Sequence, residues 1–509
     1  MPKEIYLYNR NLNKTSDYTV WLGFPGPYSF SLSSLGFLWL YKSIDEKSDV
    51  KIERICSDTE STKYNMPDLF GFSFSFDTDF LTIFSMLEKY NIPFKSKDRD
   101  NIIFAGGPVV SANPEPYKDI FDFFIIGDGE DINLTAVEIC KSNRDKNTAL
   151  KLLSEIDGIY VPKYSHKVKK LTKKLTECIY TPILGENAFF KDTFIIEMAR
   201  GCSNRCGFCL ASYLNLPLRS VPNDELMKAL EIGLKHTNKI AFLGAQVSAH
   251  PNFHDICKFI YEKISNGQNI EMNFSSLRVD AISEDVIKTL KAAGQKSITL
   301  AIEAGSERLR KVINKHLSEE QIFNAVKIAK DNGLKSIKFY GMIGLPTETY
   351  DDIDELIRLA KTLKNNNKGF DITFGFSSFV PKPNTPFQWL GRENTKLLED
   401  KSNYIKKELH KIGISANISS IKWDYWQAVL SRGDSSLSDF LIEIYKQGGK
   451  LGAFKASAKK FNINTDIFAY KNYSFDTKLP WDFIDITPGK EFLIKENKRL
   501  LDGGIIAID

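Results

Sequence analysis

Short apolar runs alternate with amphipathic stretches over the first 130 residues of the chain. Five runs rich in β-branched and aromatic residues predict strands, at 18–23, 49–56, 68–75, 101–107 and 121–129. Between several of them the apolar positions recur with helical spacing, as in FLTIFSMLEKY at 80–90. This alternation predicts an α/β fold with a doubly wound parallel sheet, covered by helices on both faces.

Glycines and serines gather where these predicted strands end. Ser73 and Ser75 follow the third run, Gly106 and Gly107 follow the fourth, and Gly127 follows the fifth. Open parallel sheets bind ligands beyond the carboxyl ends of their strands. The five residues are therefore candidates for the lining of a binding site, although glycine-rich turns also occur in sheets that bind nothing.

A second series of strands and longer helices begins near residue 191. Six runs predict strands, at 193–200, 239–244, 270–276, 296–303, 336–343 and 371–379. One intervening helix carries both end signals, because Ser318 with Gln321 forms a capping-box pattern and Gly333 follows the last turn. Six consecutive strand–helix units predict a partial (β/α)6 barrel with its active site at the carboxyl ends of the strands.

These patterns divide the chain into four regions. They are a doubly wound domain at 1–165, a basic linker at 166–190, a barrel at 191–400 and a smaller α+β region at 401–509. The last region is expected to contribute a substrate pocket or lid, and its Trp423, Trp426 and Trp481 are interpreted as core. The segment 379–389, rich in proline and aromatic residues, predicts either a rigid lid over the barrel or a packed loop.

Charge and hydropathy restrict the partners. Lysine and arginine exceed aspartate and glutamate by 68 − 64 = 4, so no global basic field indicates nucleic acid or a membrane surface. The basic run 166–175 leaves nucleic acid open without supporting it. The chain start is polar and no apolar run approaches a membrane span, which predicts a cytoplasmic protein.

Three of the seven cysteines are close together, in ARGCSNRCGFCLAS at 199–212. The others are interpreted as small buried side chains. Thiolates at Cys202, Cys206 and Cys209 are soft ligands for zinc, copper(I) or an iron–sulfur cluster. Structural zinc requires four ligands, whereas a four-iron cluster tolerates one iron without a protein ligand. A catalytic dithiol is the alternative.

The cysteine motif and four later segments resemble the radical S-adenosylmethionine (SAM) superfamily. That resemblance implies a [4Fe–4S] cluster on Cys202, Cys206 and Cys209, with SAM on the open iron. In order along the chain, the segments are 243–248, 274–280, 300–315 and 339–349. The SAM contacts that the resemblance implies are Gly244, Ser275, Arg278, Glu303, Arg310 (for the carboxylate), Gly341, Ile343 and Gly344.

The first domain is similar to the cobalamin-binding, flavodoxin- or Rossmann-like domain found in one branch of this superfamily. The segments PGPYSFSLSSLGF, FAGGPVVSANPEP and FIIGDGE carry the resemblance, which implies cobalamin lined by Ser73, Ser75, Gly106, Gly107 and Gly127. The first histidine of the chain is His166, beyond the predicted sheet, so this domain has no D-x-H-x-x-G ligand for cobalt. Either cobalamin binds without a lower histidine, or the fold persists without the corrinoid.

The resemblance implies reductive cleavage of SAM to a 5′-deoxyadenosyl radical, driven by a reductant such as flavodoxin or ferredoxin. With cobalamin, the expected reaction is methyl transfer to an unactivated carbon. Without it, radical rearrangement, cyclisation or methylthiotransferase-like modification of RNA or protein is expected. A non-catalytic iron–sulfur sensor or assembly protein is the hypothesis of another class, and the sequence does not identify the substrate.

Overall fold

The computed structural model describes residues 3–60, 66–165 and 167–502, so His166 lies outside the described residues. The first region is a six-stranded sheet with helices on both faces. Its strands, with one further short strand at the start, are β1 Glu4–Tyr6, β2 Thr19–Phe24, β3 Lys51–Cys56, β4 Leu69–Ser73, β5 Ile102–Gly106, β6 Phe123–Ile125 and β7 Ile159–Tyr160. Its helices are α1 Tyr28–Ser31, α2 Leu35–Lys47, α3 Phe80–Lys89, α4 Pro108–Ala112, α5 Ile132–Ser142 and α6 Lys146–Leu153.

The strand order in this sheet is β3-β2-β4-β5-β6-β7. The first five strands of that order are parallel, as the sequence predicts, and β7 is antiparallel. The polar turns after β4, β5 and β6 therefore meet along one edge.

The connector to the second region is not free chain. It forms β8 Val168–Lys169 and β9 Ile183–Gly185, and β9 pairs antiparallel with β1. These pairings fasten the connector to the first domain and, through β8, to a strand near the end of the chain.

The barrel is open and consists of two sheets. Its strands, with a short antiparallel pair, are β10 Thr193–Glu197, β11 Ala199–Arg200, β12 Arg219–Ser220, β13 Lys239–Leu243, β14 Glu271–Phe274, β15 Ser297–Glu303, β16 Ser336–Ile343, β17 Asp371–Ser378 and β18 Ser415–Ile418. Its helices are α7 Leu210–Leu214, α8 Asn223–His236, α9 Phe253–Ser265, α10 Glu284–Ala292, α11 Glu307–Val312, α12 Glu319–Asp331, α13 Tyr350–Asn366 and α14 Thr395–Lys411.

The barrel order is β10-β13-β14 and then β15-β16-β17-β18, all parallel. A single parallel bridge between Leu277 and Leu300 joins the two sheets. The six predicted strands form as expected, and the predicted capping box of Ser318 is present at α12. The seventh strand, β18, is an addition that the sequence analysis does not predict.

The last region is mainly helical and packs against the first domain. It comprises α15 Ile421–Arg432, α16 Leu437–Lys446, α17 Leu451–Lys460, α18 Asp466–Tyr470, β19 Ile484–Asp485 and α19 Lys490–Asp502. Trp426 and Trp481 share one hydrophobic core with Trp21 and Phe70 of the first domain. This confirms the interpretation of those two tryptophans as core, and Trp423 packs at its edge.

The segment 379–389 is a packed loop. Phe379, Phe387 and Trp389 are at most 1% exposed, and Phe387 lies against Gly207 of the cysteine loop. None of the helices in the described residues is long and apolar enough to cross a membrane.

Candidate active site

The three cysteines of the motif lie in the loop between β11 and α7, at the carboxyl end of the first barrel strand. Cys202 and Cys206 are buried, and Cys209 precedes α7 directly. Gly201 has a φ of +81°, and a Cβ there would lie 2.5 Å from the carbonyl oxygen of Asn215. Only glycine fits this close turn without strain, so Gly201 allows the backbone to turn from β11 into the cysteine loop.

The donor set fits an iron–sulfur cluster. All seven cysteines of the chain are free thiols. Within the described residues no group of three or more His, Cys, Asp or Glu side chains is arranged to hold a metal ion. Structural zinc requires four protein ligands, whereas a four-iron cluster tolerates one iron without a protein ligand, so three thiolates on one loop suit the cluster better.

Burial dominates the electrostatics of these thiols. It raises the pKa of Cys206 to about 12 and also raises the pKa of Cys209. The Lys315 ammonium acts in the opposite direction on Cys206. Lys315 is thus a positive charge close to the cluster thiolates, and the sequence analysis does not identify it.

Lys315 links two of the predicted SAM contacts. Its Nζ lies 3.1 Å from Oε1 of Glu303, and its carbonyl oxygen accepts a bond of 3.4 Å from Arg278. Glu303 has a φ of 66° where β15 ends in a bulge, which turns its carboxylate out of the strand register. The guanidinium of Arg278 is held by Asp280 at 2.9 Å. Glu303, Arg278 and Lys315 therefore lie together beside the cysteines.

Backbone carbonyl groups surround the side chain of Arg310. Its side chain is fully buried, and the guanidinium donates to the carbonyl oxygens of Leu317, Ala304 and Gly305 at 2.7, 3.0 and 2.6 Å. In this structure the Arg310 guanidinium therefore braces the backbone after β15, and its contact with a SAM carboxylate stays a prediction. Arg278 and Lys315 are the cations available beside the cysteines.

Arg310→Ala is expected to lower the free energy of unfolding by about 3 kcal/mol or more, because three buried carbonyl oxygens lose their donor. Urea unfolding of the apoprotein measures this, with the exposed neighbour Lys311→Ala as the matched control. An Arg310→Ala protein as stable as the control would contradict the bracing role.

The predicted SAM contacts Gly341, Ile343 and Gly344 lie at the end of β16. Ile343 is 1% exposed, its side chain packs in the barrel core, and its carbonyl oxygen accepts from the Phe379 amide at 2.8 Å. Gly344 has a φ of +70° and lines a second cavity of about 340 Å³ together with Glu348. Gly341 lies against the Phe376 ring. The Ile343 side chain therefore does not face a ligand site.

Glu348 has a buried carboxyl group with an unusual pKa. Its carboxylate accepts from the Gly344 amide at 2.7 Å and from Lys401 at 3.0 Å, while Lys401 also contacts Glu393 at 2.9 Å. Burial raises the pKa of Glu348 to about 7, and the Lys401 charge opposes that rise. The Glu348 carboxyl group, in the loop after β16, thus binds its proton up to about neutral pH.

Stability is expected to depend on that proton. The ordinary pKa of 4.5 applies to the unfolded chain, so between pH 4.5 and about 7 the folded protein binds more protons than the unfolded chain. The free energy of unfolding therefore falls as pH rises through that window. Urea unfolding across the window tests this: Glu348→Gln should flatten the dependence and the exposed Glu320→Gln should not. An unchanged slope in Glu348→Gln would refute it.

One cavity of about 660 Å³ lies between the first domain and the barrel. Ser73, Ser75, Gly106, Gly107 and Gly127 all line it from the sheet edge. Gly244 and Ser275 line it from the barrel, next to Gly201 of the cysteine loop. The tertiary fold therefore brings together residues that the sequence analysis assigned to two separate ligands.

The sheet side of this cavity combines apolar side chains with polar turns. Leu22, Phe72 and Phe104 contribute to it, and two glycines leave space for a ligand. A Cβ built on Gly106 would come no closer than 3.7 Å to other atoms, and one on Gly36 would meet nothing within 4 Å. No histidine is among the described residues that line the cavity.

The barrel side is ordered by serines. Ser275 Oγ lies 3.2 Å from the Gly244 amide and 3.1 Å from its carbonyl oxygen, and Ser276 donates to the same carbonyl at 3.1 Å. Gln246 accepts from Cys202 Sγ at 3.1 Å and from Asn204 at 2.6 Å. The segment at 243–248 is thus tied to both the third strand and the cysteine loop.

An ion network joins the two domains across the cavity. Arg200, which immediately precedes the cysteine loop, contacts Glu197 at 2.8 Å, Asp128 at 3.1 Å and also Glu130. Arg219 pairs with Asp128 at 2.6 Å. The neighbouring carboxylates raise the pKa of the Arg200 guanidinium well above its usual range. This network fixes the GDGE turn of the first domain against the entry to the cysteine loop.

Comparisons with known proteins agree with this layout. The sequence model described as "Radical SAM superfamily" matches residues 196–360, and one described as "Radical SAM proteins, N-terminal" matches 41–162. "Uncharacterized protein MJ0966" of Methanocaldococcus jannaschii is 36% identical over 382 residues, covering 72% of this chain and 80% of that protein. A "tRNA-2-methylthio-N(6)-dimethylallyladenosine synthase" of Buchnera aphidicola subsp. Baizongia pistaciae is 24% identical, covering 57% and 68%.

Two solved structures share the fold. The "Cobalamin-dependent S-adenosylmethionine radical enzyme OxsB", with aqua-cobalamin bound, matches with a TM-score of 0.56 at 14% identity, covering 96% of this chain and 80% of that one. The "radical S-adenosylmethionine methyltransferase" TsrM from Kitasatospora setae matches with a TM-score of 0.52 at 12% identity, covering 73% and 74%.

The chain belongs to the radical SAM superfamily and is an enzyme of that class. Its cofactors accordingly include a [4Fe–4S] cluster and SAM. The resemblance identified from ARGCSNRCGFCLAS is confirmed, together with the α/β architecture of a doubly wound sheet followed by a partial barrel.

Proposed function

We propose that this enzyme is a cobalamin-dependent radical SAM methyltransferase that acts on an unactivated carbon. The observation that carries the proposal is the single cavity of about 660 Å³ between the sheet edge and the barrel mouth. Its two sides come from the two domains that would each hold one cofactor.

The sheet side suits a corrinoid. A wide flat ring needs a surface without protruding side chains, and Gly36 and Gly106 leave that space open. Gly107 and Gly127, with φ of 117° and 102°, allow the turns after β5 and β6 to run close to neighbouring backbone. The described residues that line the cavity include no histidine that could ligate cobalt.

The barrel side suits SAM at the open iron. Cys202, Cys206 and Cys209 would hold the cluster, and the Lys315–Glu303 pair with Arg278 offers both charges for the methionyl group and the ribose. When bound, the cofactors supply an electron, a carbon-centred radical and a methyl group. The chain orients them through the Arg200 network and excludes water by packing 379–389 against the cysteine loop.

Methylthiotransferase activity is the second candidate, because the similarity to a tRNA-modifying enzyme favours it. Against it, a second cluster would need further cysteines near one another in the first domain. Cys140 lies in the core of that domain and Cys178 in the barrel core, while Cys56 ends β3. In the basic connector Lys167 pairs with Asp485 and Lys173 with Asp131, while Lys169 and Lys174 are exposed, so its positive charge is only partly neutralised.

The test is anaerobic reconstitution with iron and sulfide, followed by hydroxocobalamin and desalting. A corrinoid spectrum that survives desalting, together with 5′-deoxyadenosine formed from SAM after addition of dithionite, is the expected result. Retention of no corrinoid, with 5′-deoxyadenosine still formed, would favour a rearrangement or cyclisation. No 5′-deoxyadenosine above the Cys206→Ala background would instead favour a sensor or assembly protein.

A further inference from the structure

The interior of the barrel is open rather than packed. Along β15 the side chains of Ile298, Leu300 and Ile302 are buried in the core with α12 and α13, while the alternate positions Ser297 and Thr299 are exposed. Closed barrels of parallel strands fill their interior with large branched side chains. Small polar residues take such positions on β15, so the inner face of the sheet is accessible there.

The strand register arranges this inner face in layers. In one layer Lys338 of β16 lies between Thr299 of β15 and Thr373 of β17. In the next layer towards the carboxyl ends of the strands, Tyr340 lies beside Gly375 of β17. A Cβ on Gly375 would come 3.1 Å from the Tyr340 ring and 3.2 Å from Lys338 Cε. The glycine therefore leaves room for both side chains over the sheet.

Tyr340 and Lys338 form a pair on this inner face. Tyr340 is 47% exposed, although β16 is an inner strand of its sheet. The Nζ of Lys338 lies 4.7 Å from the centroid of the Tyr340 ring and 3.3 Å from its hydroxyl. Among the described residues Lys338 forms no salt bridge with a carboxylate. The interior thus presents an aromatic ring beside a positive charge that has no counter-charge.

A third cavity, of about 420 Å³, places this pair next to the cofactor site. Tyr340, Asn273 and Thr299 line it, and it shares Ser275 and Ser276 with the cavity between the domains. The side chains of Asn273 and Thr299 have no hydrogen-bond partner among the described residues. The described residues that line the cavity include no Asp or Glu. Free neutral hydrogen-bonding groups, an aromatic ring and a nearby cation suit an anionic ligand better than a cationic one.

We propose that this part of the barrel binds the substrate, and that the substrate is a small organic anion with a planar ring. The ring lies against Tyr340, since aromatic side chains stack on flat unsaturated rings. The anionic group, a carboxylate or a phosphate, pairs with Lys338. Asn273 and Thr299 supply hydrogen bonds that fix the orientation of the ligand. The inference rests on the proposed function only in the statement that the bound molecule is the substrate.

The test is binding of four small probes to the reconstituted enzyme in the presence of SAM, measured by ligand-observed NMR. Benzoate and phenyl phosphate carry a planar ring and an anion, benzamide carries the ring alone, and cyclohexanecarboxylate carries the anion on a ring that is not planar. At least one of the first two should bind about tenfold more tightly than benzamide, and benzoate about threefold more tightly than cyclohexanecarboxylate. The tighter of benzoate and phenyl phosphate identifies the anion as a carboxylate or a phosphate. Equal binding of all four, or no binding of the first two, would overturn the proposal.

Two substitutions on β16 locate the binding. Lys338→Gln should remove the preference for anionic probes over benzamide, and Tyr340→Leu should remove the preference for benzoate over cyclohexanecarboxylate. The matched controls are Lys361→Gln on α13 and Tyr261→Leu on α9, both exposed on outer helices, and they should keep both preferences. Equal losses in the controls would overturn the proposal. Weaker SAM binding by Lys338→Gln with unchanged probe binding would also overturn it, because the lysine would then serve the cofactor.

These measurements are independent of the test of methyl transfer. Probe binding requires neither corrinoid nor turnover, so its absence counts against this inference alone. Loss of corrinoid on desalting would count against the proposed function and would not alter the probe affinities. Iron content equal to that of the wild type shows that each variant is folded.

Discussion

Cys206→Ala is expected to leave the protein without its cluster and without SAM cleavage. Two thiolates do not hold a cluster that three thiolates anchor, and the Cys206 sulfur lies 3.9 Å from the carbonyl oxygen of Asn314 and within the influence of the Lys315 charge. Loss of an outer contact to a metal ligand alone costs 10- to 100-fold, so loss of the ligand should reduce 5′-deoxyadenosine to below about one hundredth of wild type. Iron content, the visible spectrum and 5′-deoxyadenosine after dithionite measure the three effects.

Cys257→Ala is the matched control for this change. Cys257 is also buried, but it packs in the barrel core against α9 neighbours, away from the loop. It should keep iron and activity with at most a modest loss of stability. Retention of a full cluster in Cys206→Ala would mean that the loop binds it through other atoms.

Gly106→Leu is expected to abolish corrinoid binding while the cluster and SAM cleavage persist. Gly106 ends β5 and its φ is not positive, so the backbone accepts a side chain there. A Cβ at this position has ordinary contacts only, at 3.7 and 3.9 Å, and the rest of the leucine would project into the cavity. The spectrum after desalting should lack corrinoid, and methylated product should disappear with it.

Gly452→Leu controls for the added apolar surface, because this exposed helical glycine also has open space around it. It should bind corrinoid as the wild type does. Corrinoid retained equally by Gly106→Leu would place the ligand elsewhere and would remove the main support for cobalamin-dependent methyl transfer.

The sequence predicts best those elements whose structure depends on periodicity and on neighbouring residues. The predicted run 336–343 is the strand Ser336–Ile343, and Ser318 caps α12 with Gln321, because both features depend on residues adjacent in the chain. The short strands β7 and β18 escaped prediction. Their sequences are too brief for a pattern, and pairing with an existing sheet edge stabilises them.

The site residues divide in the same way. The cysteine motif can be recognised from the sequence because its three cysteines lie within eight positions. Arg310 matches the motif by its position in the sequence. The orientation of its side chain, however, depends on the backbone carbonyl groups around it, and sequence spacing does not predict where those groups lie. Lys315 lies only twelve residues after Glu303, but a salt bridge between them requires the bulge that turns Glu303 out of β15.

The sequence by itself determined the superfamily and the succession of strands along the chain, and it predicts the three thiolate ligands, since each depends on residue type and short spacing along one segment. Only the tertiary structure decided that the sheet edge and the barrel mouth share one cavity, and that Arg278 and Lys315, rather than Arg310, lie beside the cysteines. The physical reason is that these features depend on packing and charge pairing between distant segments. The network joining Asp128 and Glu130 to Arg200 is an example: it brings together groups some seventy residues apart, and folding alone makes them neighbours.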